Sequence, residues 1–213
     1  MNENRNLDST EISETVFICH ESKLWRATTF LDLNGTIFGE EQTLAHGIVP
    51  SSSPQGLVSA GTMPGEPVPA GTFGHLVVPA QTVPNNQYIS AYYLTFDHWY
   101  HLDSTISGGG DGTWVEYRLQ SNSNWGNWSY MEPQGGYPST LSTDAPVPSG
   151  ASSPVPVFAS DSHSGWVTSN FSLSSLSGID QADNIQFRFV IWTHPDSINE
   201  RPGWFIDQIE IIN

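Results

Sequence analysis

Four stretches of the chain alternate apolar and polar residues with a period of two. In Tyr92–Leu102 one parity reads Tyr92, Leu94, Phe96, His98, Tyr100, Leu102, and the other Tyr93, Thr95, Asp97, Trp99, His101. In Thr113–Gln120, Val115, Tyr117 and Leu119 oppose Trp114, Glu116 and Arg118. In Ile185–Trp192, Ile185, Phe187, Phe189 and Ile191 oppose Gln186, Arg188, Val190 and Trp192, and a fourth run covers Trp204–Ile212. Successive strand side chains point to opposite faces, so each run predicts a strand with one face in a core. No stretch shows a convincing 3.6-residue period. Ser107–Gly112 is Gly-rich and predicts a flexible turn between the first two strands. The pattern predicts an all-β, antiparallel two-sheet β-sandwich with long loops at its ends.

The last run changes phase. Ile209 and Ile211 share a parity with Asp207, whereas Trp204 and Ile206 have the other. Asp207 therefore either faces the core or marks a β-bulge. A buried carboxylate needs hydrogen bonds or a cation, because an unpaired buried charge is costly.

Proline cannot donate to a sheet ladder, so the proline-dense windows Pro50–Pro84 and Pro133–Pro156 predict loops and edges. Pro133–Ser153 is expected to be a long surface excursion. Residues 1–25 are polar and weakly patterned and are expected to be an arm or linker. Residues 26–213 are then a single domain, a length that suits an all-β fold.

Charge narrows the partners. Twenty-two acidic residues face six basic ones, a formal charge of −16. Nucleic acid or an anionic membrane surface would require clustered Lys and Arg. No run of about 18 apolar residues offers a membrane span. The single cysteine, Cys19, excludes an intrachain disulfide. The N-terminus has no basic segment followed by an apolar one, so a mature chain or a piece of a longer one is expected.

Several segments together resemble a known family. Phe96-Asp-His-Trp-Tyr-His-Leu-Asp-Ser104 and Gly112-Thr-Trp-Val-Glu-Tyr117 are followed by Trp128-Ser-Tyr-Met-Glu-Pro-Gln-Gly-Gly-Tyr-Pro138. Ser164-Gly-Trp-Val-Thr-Ser-Asn-Phe-Ser-Leu173, Ile185-Gln-Phe-Arg-Phe-Val190 and Gly203-Trp-Phe-Ile-Asp-Gln-Ile209 come next. In this order they resemble the motifs of MAM-like jelly-roll domains. Such domains occur in secreted metallopeptidases of the immune inhibitor A type and in cleaved-adhesin modules. The resemblance covers roughly residues 88–213 and departs from the family pattern at Gln208, where the family has a second Asp. It implies a jelly-roll β-sandwich, a non-catalytic accessory role outside the cell, and a structural calcium ion.

Calcium takes several oxygen ligands. The candidates are Asp103 and Asp111, which flank the Gly-rich turn and can converge, together with Glu116 and Asp207, which the resemblance contributes. The alternative is a set of solvated loop carboxylates, with Asp207 bonded to backbone N–H groups. Zinc is not expected: no HExxH occurs, and His98 and His101 fall on opposite faces of a strand. No Gly-x-Ser-x-Gly elbow occurs either. Asp97 and Glu116 would offer a carboxylate pair for glycoside chemistry if they faced each other on adjacent strands. The chain is expected not to be an enzyme.

On the parity opposite the core lie Trp99, Trp114 and Trp192, beside His101, Glu116, Arg118 and Arg188. Indole faces stack on sugar rings, so Trp99, Trp114, Trp192, Arg118 and Arg188 are candidate ligand-binding residues. The alternative is that another segment covers them, with Arg188 and Glu116 forming a cross-strand ion pair. The expectation is an extracellular or cell-surface recognition and adhesion domain, calcium-stabilised, whose partner is a glycan or a protein surface. The alternatives are a carbohydrate-binding module using the tryptophan face, and a self-assembling subunit in which residues 1–25 lend a strand to a neighbour.

Overall fold

The computed structural model describes residues 16–19, 24–27, 38–42, 58–62, 67–83, 92–104, 110–160, 162, 164–197 and 201–212; before Ala60 only the backbone path is described. Strands are numbered along the chain. One sheet runs in the order β13 (Val167–Ser172), β7 (Tyr93–His101), β15 (Gly203–Ile212), β4 (Val58–Thr62), β3 (Phe38–Gln42). The other runs β10 (Ser129–Met131), β8 (Gly112–Ser121), β14 (Asn184–Trp192), β5 (Phe73–Val77), with β6 (Gln81–Thr82) added to β14 and β9 (Asn124–Trp125) to β8. All pairings among the described residues are antiparallel. The sheets pack face to face, so the predicted β-sandwich is the observed architecture. No helix among the described residues is long and apolar enough to cross a membrane.

The four alternating runs become β7, β8, β14 and β15, and the predicted parities hold. Leu94, Phe96 and Tyr100 of β7 meet Phe187, Phe189 and Ile191 of β14 and Val115 of β8 in one core. Phe96 stacks on Phe171 at 5.6 Å and meets Phe189 edge-on at 4.9 Å, joining the two sheets through aromatic contact.

One polar side chain belongs to this core. His98 is fully buried, and its Nδ1 accepts the indole N–H of Trp204 at 3.1 Å. The proton must then sit on Nε2, which lies 2.9 Å from the Ser169 hydroxyl. Burial pushes its pKa down to about 3, so it is a neutral, hydrogen-bonded core residue.

The phase change in β15 is a bulge. Asp207 pairs with Asp97 and Glu210 with Thr95, so Gln208 and Ile209 together oppose Phe96. Gln208 has a φ of +51°, and the extra residue turns Ile209 and Ile211 into the core alongside Ile206.

Of the expected arm, the described part pairs within its own chain. β1 (Val16–Cys19) joins β2 (Leu24–Ala27), a hairpin that straddles the boundary drawn at residue 25. The remainder of residues 1–25, and residues 105–109 of the Gly-rich turn, lie outside the described residues.

Candidate functional site

The outward face of the β8–β14 sheet divides into rows set by strand register. Trp114 lies opposite Val190, Glu116 opposite Arg188, Arg118 opposite Gln186, and Gln120 opposite Asn184. Cross-strand partners share a face, so these rows form a continuous strip.

One end of the strip is sealed. Trp114, Val190 and Trp192 pack with Leu141, Ala145, Val155, Val157 and Ala159 in a second apolar cluster. The proline-rich excursion therefore folds back on the sheet. Its few apolar residues supply the cover, and its own two-residue strands β11 (Ser139–Thr140) and β12 (Pro156–Val157) pair with each other. Gly112 makes the close approach possible: a Cβ there would lie 2.6 Å from side-chain carbons of both Leu141 and Val157. Tyr130 fastens the edge through its hydroxyl, which donates to the Pro156 carbonyl at 2.6 Å.

Glu116 is the seam. One carboxylate oxygen accepts the Trp114 indole N–H at 2.8 Å, and the other accepts Arg188 Nε at 2.8 Å and Nη2 at 2.5 Å. Both oxygens are thus committed to holding neighbours.

Beyond the seam no residue of the second apolar cluster covers the strip, and Arg118, Gln120 and Asn184 are half-buried. Arg118 donates through Nε and Nη2 to Gln186 Oε1, at 2.9 and 2.6 Å, and Gln186 is fixed in turn by donating to the Val78 carbonyl. Asn122 and Ser123 both have positive φ and form a tight hairpin turn. It sends β9 back along β8 and sets Trp125 opposite Gln120. The Arg118 guanidinium carbon lies 4.8 Å from the Trp125 ring centroid and 4.5 Å from that of Trp128. Arg188 lies 4.6 Å from Trp128. Two guanidiniums thus share one indole, held by cation–π attraction. Burial, and then the charge of Arg188, lower the Arg118 pKa. At the far end Asn184 Nδ2 donates to Gln120 Oε1 at 2.7 Å.

The predicted site residues part company here. Arg118 and Arg188 are together on the open strip. Trp114 (1 % exposed) and Trp192 are on the same face but under the excursion. Trp99 is on β7, in the other sheet, 3 % exposed and packed edge-on against Phe205 at 5.5 Å. A shared face for Trp99, Trp114 and Trp192 is therefore corrected: β7 and β8 are successive strands in different sheets, and their outward sides point away from each other. The same geometry separates Asp97 from Glu116, which do not face each other.

The four carboxylates considered for calcium occupy three places. Asp103 and Asp111 do converge. Asp103 is fully buried and Asp111 is 3 % exposed. The Asp111 N–H donates to the Asp103 carbonyl at 2.7 Å, and the Asp103 N–H donates to Asp111 Oδ2 at 3.1 Å. The His194 N–H reaches Asp111 Oδ1 at 2.9 Å, and the Ser197 hydroxyl reaches Asp103 Oδ2 at 3.2 Å. Gly110 closes against this pair, where a Cβ would meet the Asp103 carbonyl oxygen. Burial pushes the Asp111 pKa up to about 6. Glu116 is corrected as a member of that set: it stands five residues along the chain from Asp111, about 17 Å in an extended strand, and is occupied by Trp114 and Arg188. Asp207 is corrected likewise. It is half-buried at the bulge in the other sheet, where its Oδ1 accepts the Gln208 N–H at 2.8 Å. No group of three or more His, Cys, Asp or Glu poised for a metal occurs among the described residues.

Trp125 and Trp128 did not emerge from the alternation, because they sit in and beside a two-residue strand and a loop. The visible signal was the pair Trp125-Gly-Asn-Trp128 following a strand that carries Arg118. Neither a scan of protein-family models nor a search of curated proteins finds a match to this chain.

Proposed function

We propose that this β-sandwich is a non-catalytic recognition domain of a secreted or cell-surface protein, and that it binds glycan on the open end of the β8–β14 face. The observation that carries this reading is the contrast in burial among the tryptophans. Trp114, Trp99 and Trp204 are sunk in packed surroundings, whereas Trp125 and Trp128 are half-buried beside two arginines and a fixed row of carboxamides. A pre-ordered aromatic and amide surface suits sugar rings, whose faces stack and whose hydroxyls accept and donate. The MAM-like motifs and the base-poor, polar composition support an extracellular setting. On an immobilised glycan panel, Trp128→Ala is expected to abolish binding while the melting temperature falls by no more than about 3 °C. Unchanged binding by that variant would overturn the proposal.

The Asp103–Asp111 pair supports a second element of the reading, a structural calcium ion. Two adjacent buried carboxylates that flank one turn offer a hard cation the oxygen ligands it prefers. Asp103 and Asp111 would hold the ion, and its charge would offset their mutual repulsion. The domain is expected to melt several degrees higher in millimolar calcium than in chelator at pH 7, and Asp111→Asn is expected to remove the difference. Equal melting of the unaltered protein in both would exclude the ion.

A further inference from the structure

We infer that the open strip is specific for glycans bearing a single carboxylate, such as oligosaccharides ended by one uronic or sialic acid, with Arg118 receiving the carboxylate and Trp125 the sugar ring. This rests on the glycan-binding reading above and narrows it.

The two arginines of the strip differ in how their charge is met. Arg188 is ion-paired with Glu116 at 2.5 Å. Arg118 is not: its Nε and Nη2 rest on the neutral carboxamide of Gln186, and no carboxylate among the described residues pairs with it. In a chain with 22 acidic residues and six basic ones, a half-buried arginine placed against an amide is an unusual use of a scarce cation. Its position near Arg188, with the two guanidinium carbons 4.5 and 4.6 Å from the Trp128 ring centroid, adds like-charge repulsion that a ligand anion would relieve. The lowered pKa of Arg118 has that same origin after burial.

Geometry then selects the anion. Gln186 occupies the Nε side of the guanidinium, which leaves the edge formed by Nη1 and the second Nη2 hydrogen. That edge is the two-donor fork that matches a carboxylate. The indoles of Trp125 and Trp128 flank the same guanidinium, so a sugar carrying the carboxylate meets an aromatic ring beside it. Gln120 and Asn184 bond to each other through one atom apiece, which leaves Gln120 Nε2 to donate to a hydroxyl and Asn184 Oδ1 to accept from one.

The net charge of −16 limits the ligand from the other side. A dense polyanion would be repelled at long range, and a single cation cannot compensate for that. One carboxylate engaged by one fork at short range is the match.

The test pairs oligosaccharides ended by one acidic sugar (galacturonate, glucuronate, mannuronate or sialic acid) with their carboxyl-reduced, neutral counterparts, measured by calorimetry on the full chain. At least one acid is expected to bind ten-fold or more tightly than its reduced partner, the worth of a charge-assisted bidentate bond. Arg118→Gln is expected to erase that preference, with its fold checked by melting. Arg118→Lys, which keeps the charge but lacks the fork, is expected to retain only part of it. If acid and reduced forms bind equally, or only reduced forms bind, the carboxylate inference falls and glycan recognition stands. If none of either set binds the unaltered protein, both fall.

Discussion

The two ends of the β8–β14 outward face differ in what lies on top of them. At one end Trp114 and Trp192 are roofed by Leu141, Val155 and Val157 and form a small second core. At the other, Trp125 and Trp128 are half-buried and interleaved with Arg118 and Arg188. The strands beneath are the same two strands. What separates the ends is the excursion that follows β10, which covers Trp114, Val190 and Trp192. A tryptophan on the outward parity is therefore buried or accessible according to what covers it.

Substitution should break this contrast unevenly. Trp114→Ala empties a fully buried site and deprives Glu116 of its indole donor. Denaturant unfolding is expected to show a loss of about 3–5 kcal/mol. A loss below about 1 kcal/mol would mean the sealed end is not a core.

The rim of the sealed end should respond to pH. Asp111 directly precedes Gly112, and it holds the His194 N–H just beyond Trp192. Its pKa is raised from 3.8 to about 6, so the folded state binds its proton more tightly than the unfolded state. Its contribution is fully present below pH 4 and is lost as pH rises through 6, on the order of 2–3 kcal/mol. His98 acts in the opposite sense. Its pKa is lowered from 6.5 to about 3, so its contribution is present above pH 6.5 and is lost as pH falls through that range. Between pH 4 and 6 the two slopes oppose each other in the native chain. In Asp111→Asn the opposing slope is gone, while His98, and His75 whose pKa burial also lowers, still titrate, so stability should rise more steeply with pH than in the unaltered protein in metal-free buffer. Parallel stability curves for the two proteins from pH 4 to 7 would contradict this assignment.

The smallest stability effect belongs to the open end. Trp128→Ala removes cation–π contacts at a half-buried site, worth about 1 kcal/mol or less, while glycan binding is expected to disappear. A large loss of stability there would make the strip a structural ladder instead of a binding surface.

Much of this was legible in the alternation. Phe96, Phe187, Phe189 and Ile191 declared the core side of their strands, and the parity conflict between Ile206 and Ile209 announced the bulge. Asp103 and Asp111 could be brought together because they flank one turn. Sheet membership was not legible. Period two assigns a side to each residue within a strand, but Trp99 and Trp114 can share a face only if β7 and β8 share a sheet, and they do not. Coverage was not legible either, because Leu141, Val155 and Val157 are scattered among Pro, Ser and Thr with no period of their own. Trp125 and Trp128 escaped for the same reason.

The most direct test is to follow the indole N–H signals of the eight tryptophans by NMR while titrating a binding glycan. Trp125 and Trp128 are expected to shift with ligand, whereas Trp99, Trp114, Trp192 and Trp204 keep their positions. Shifts at Trp99 or Trp114 with Trp125 and Trp128 unmoved would contradict binding at the open end.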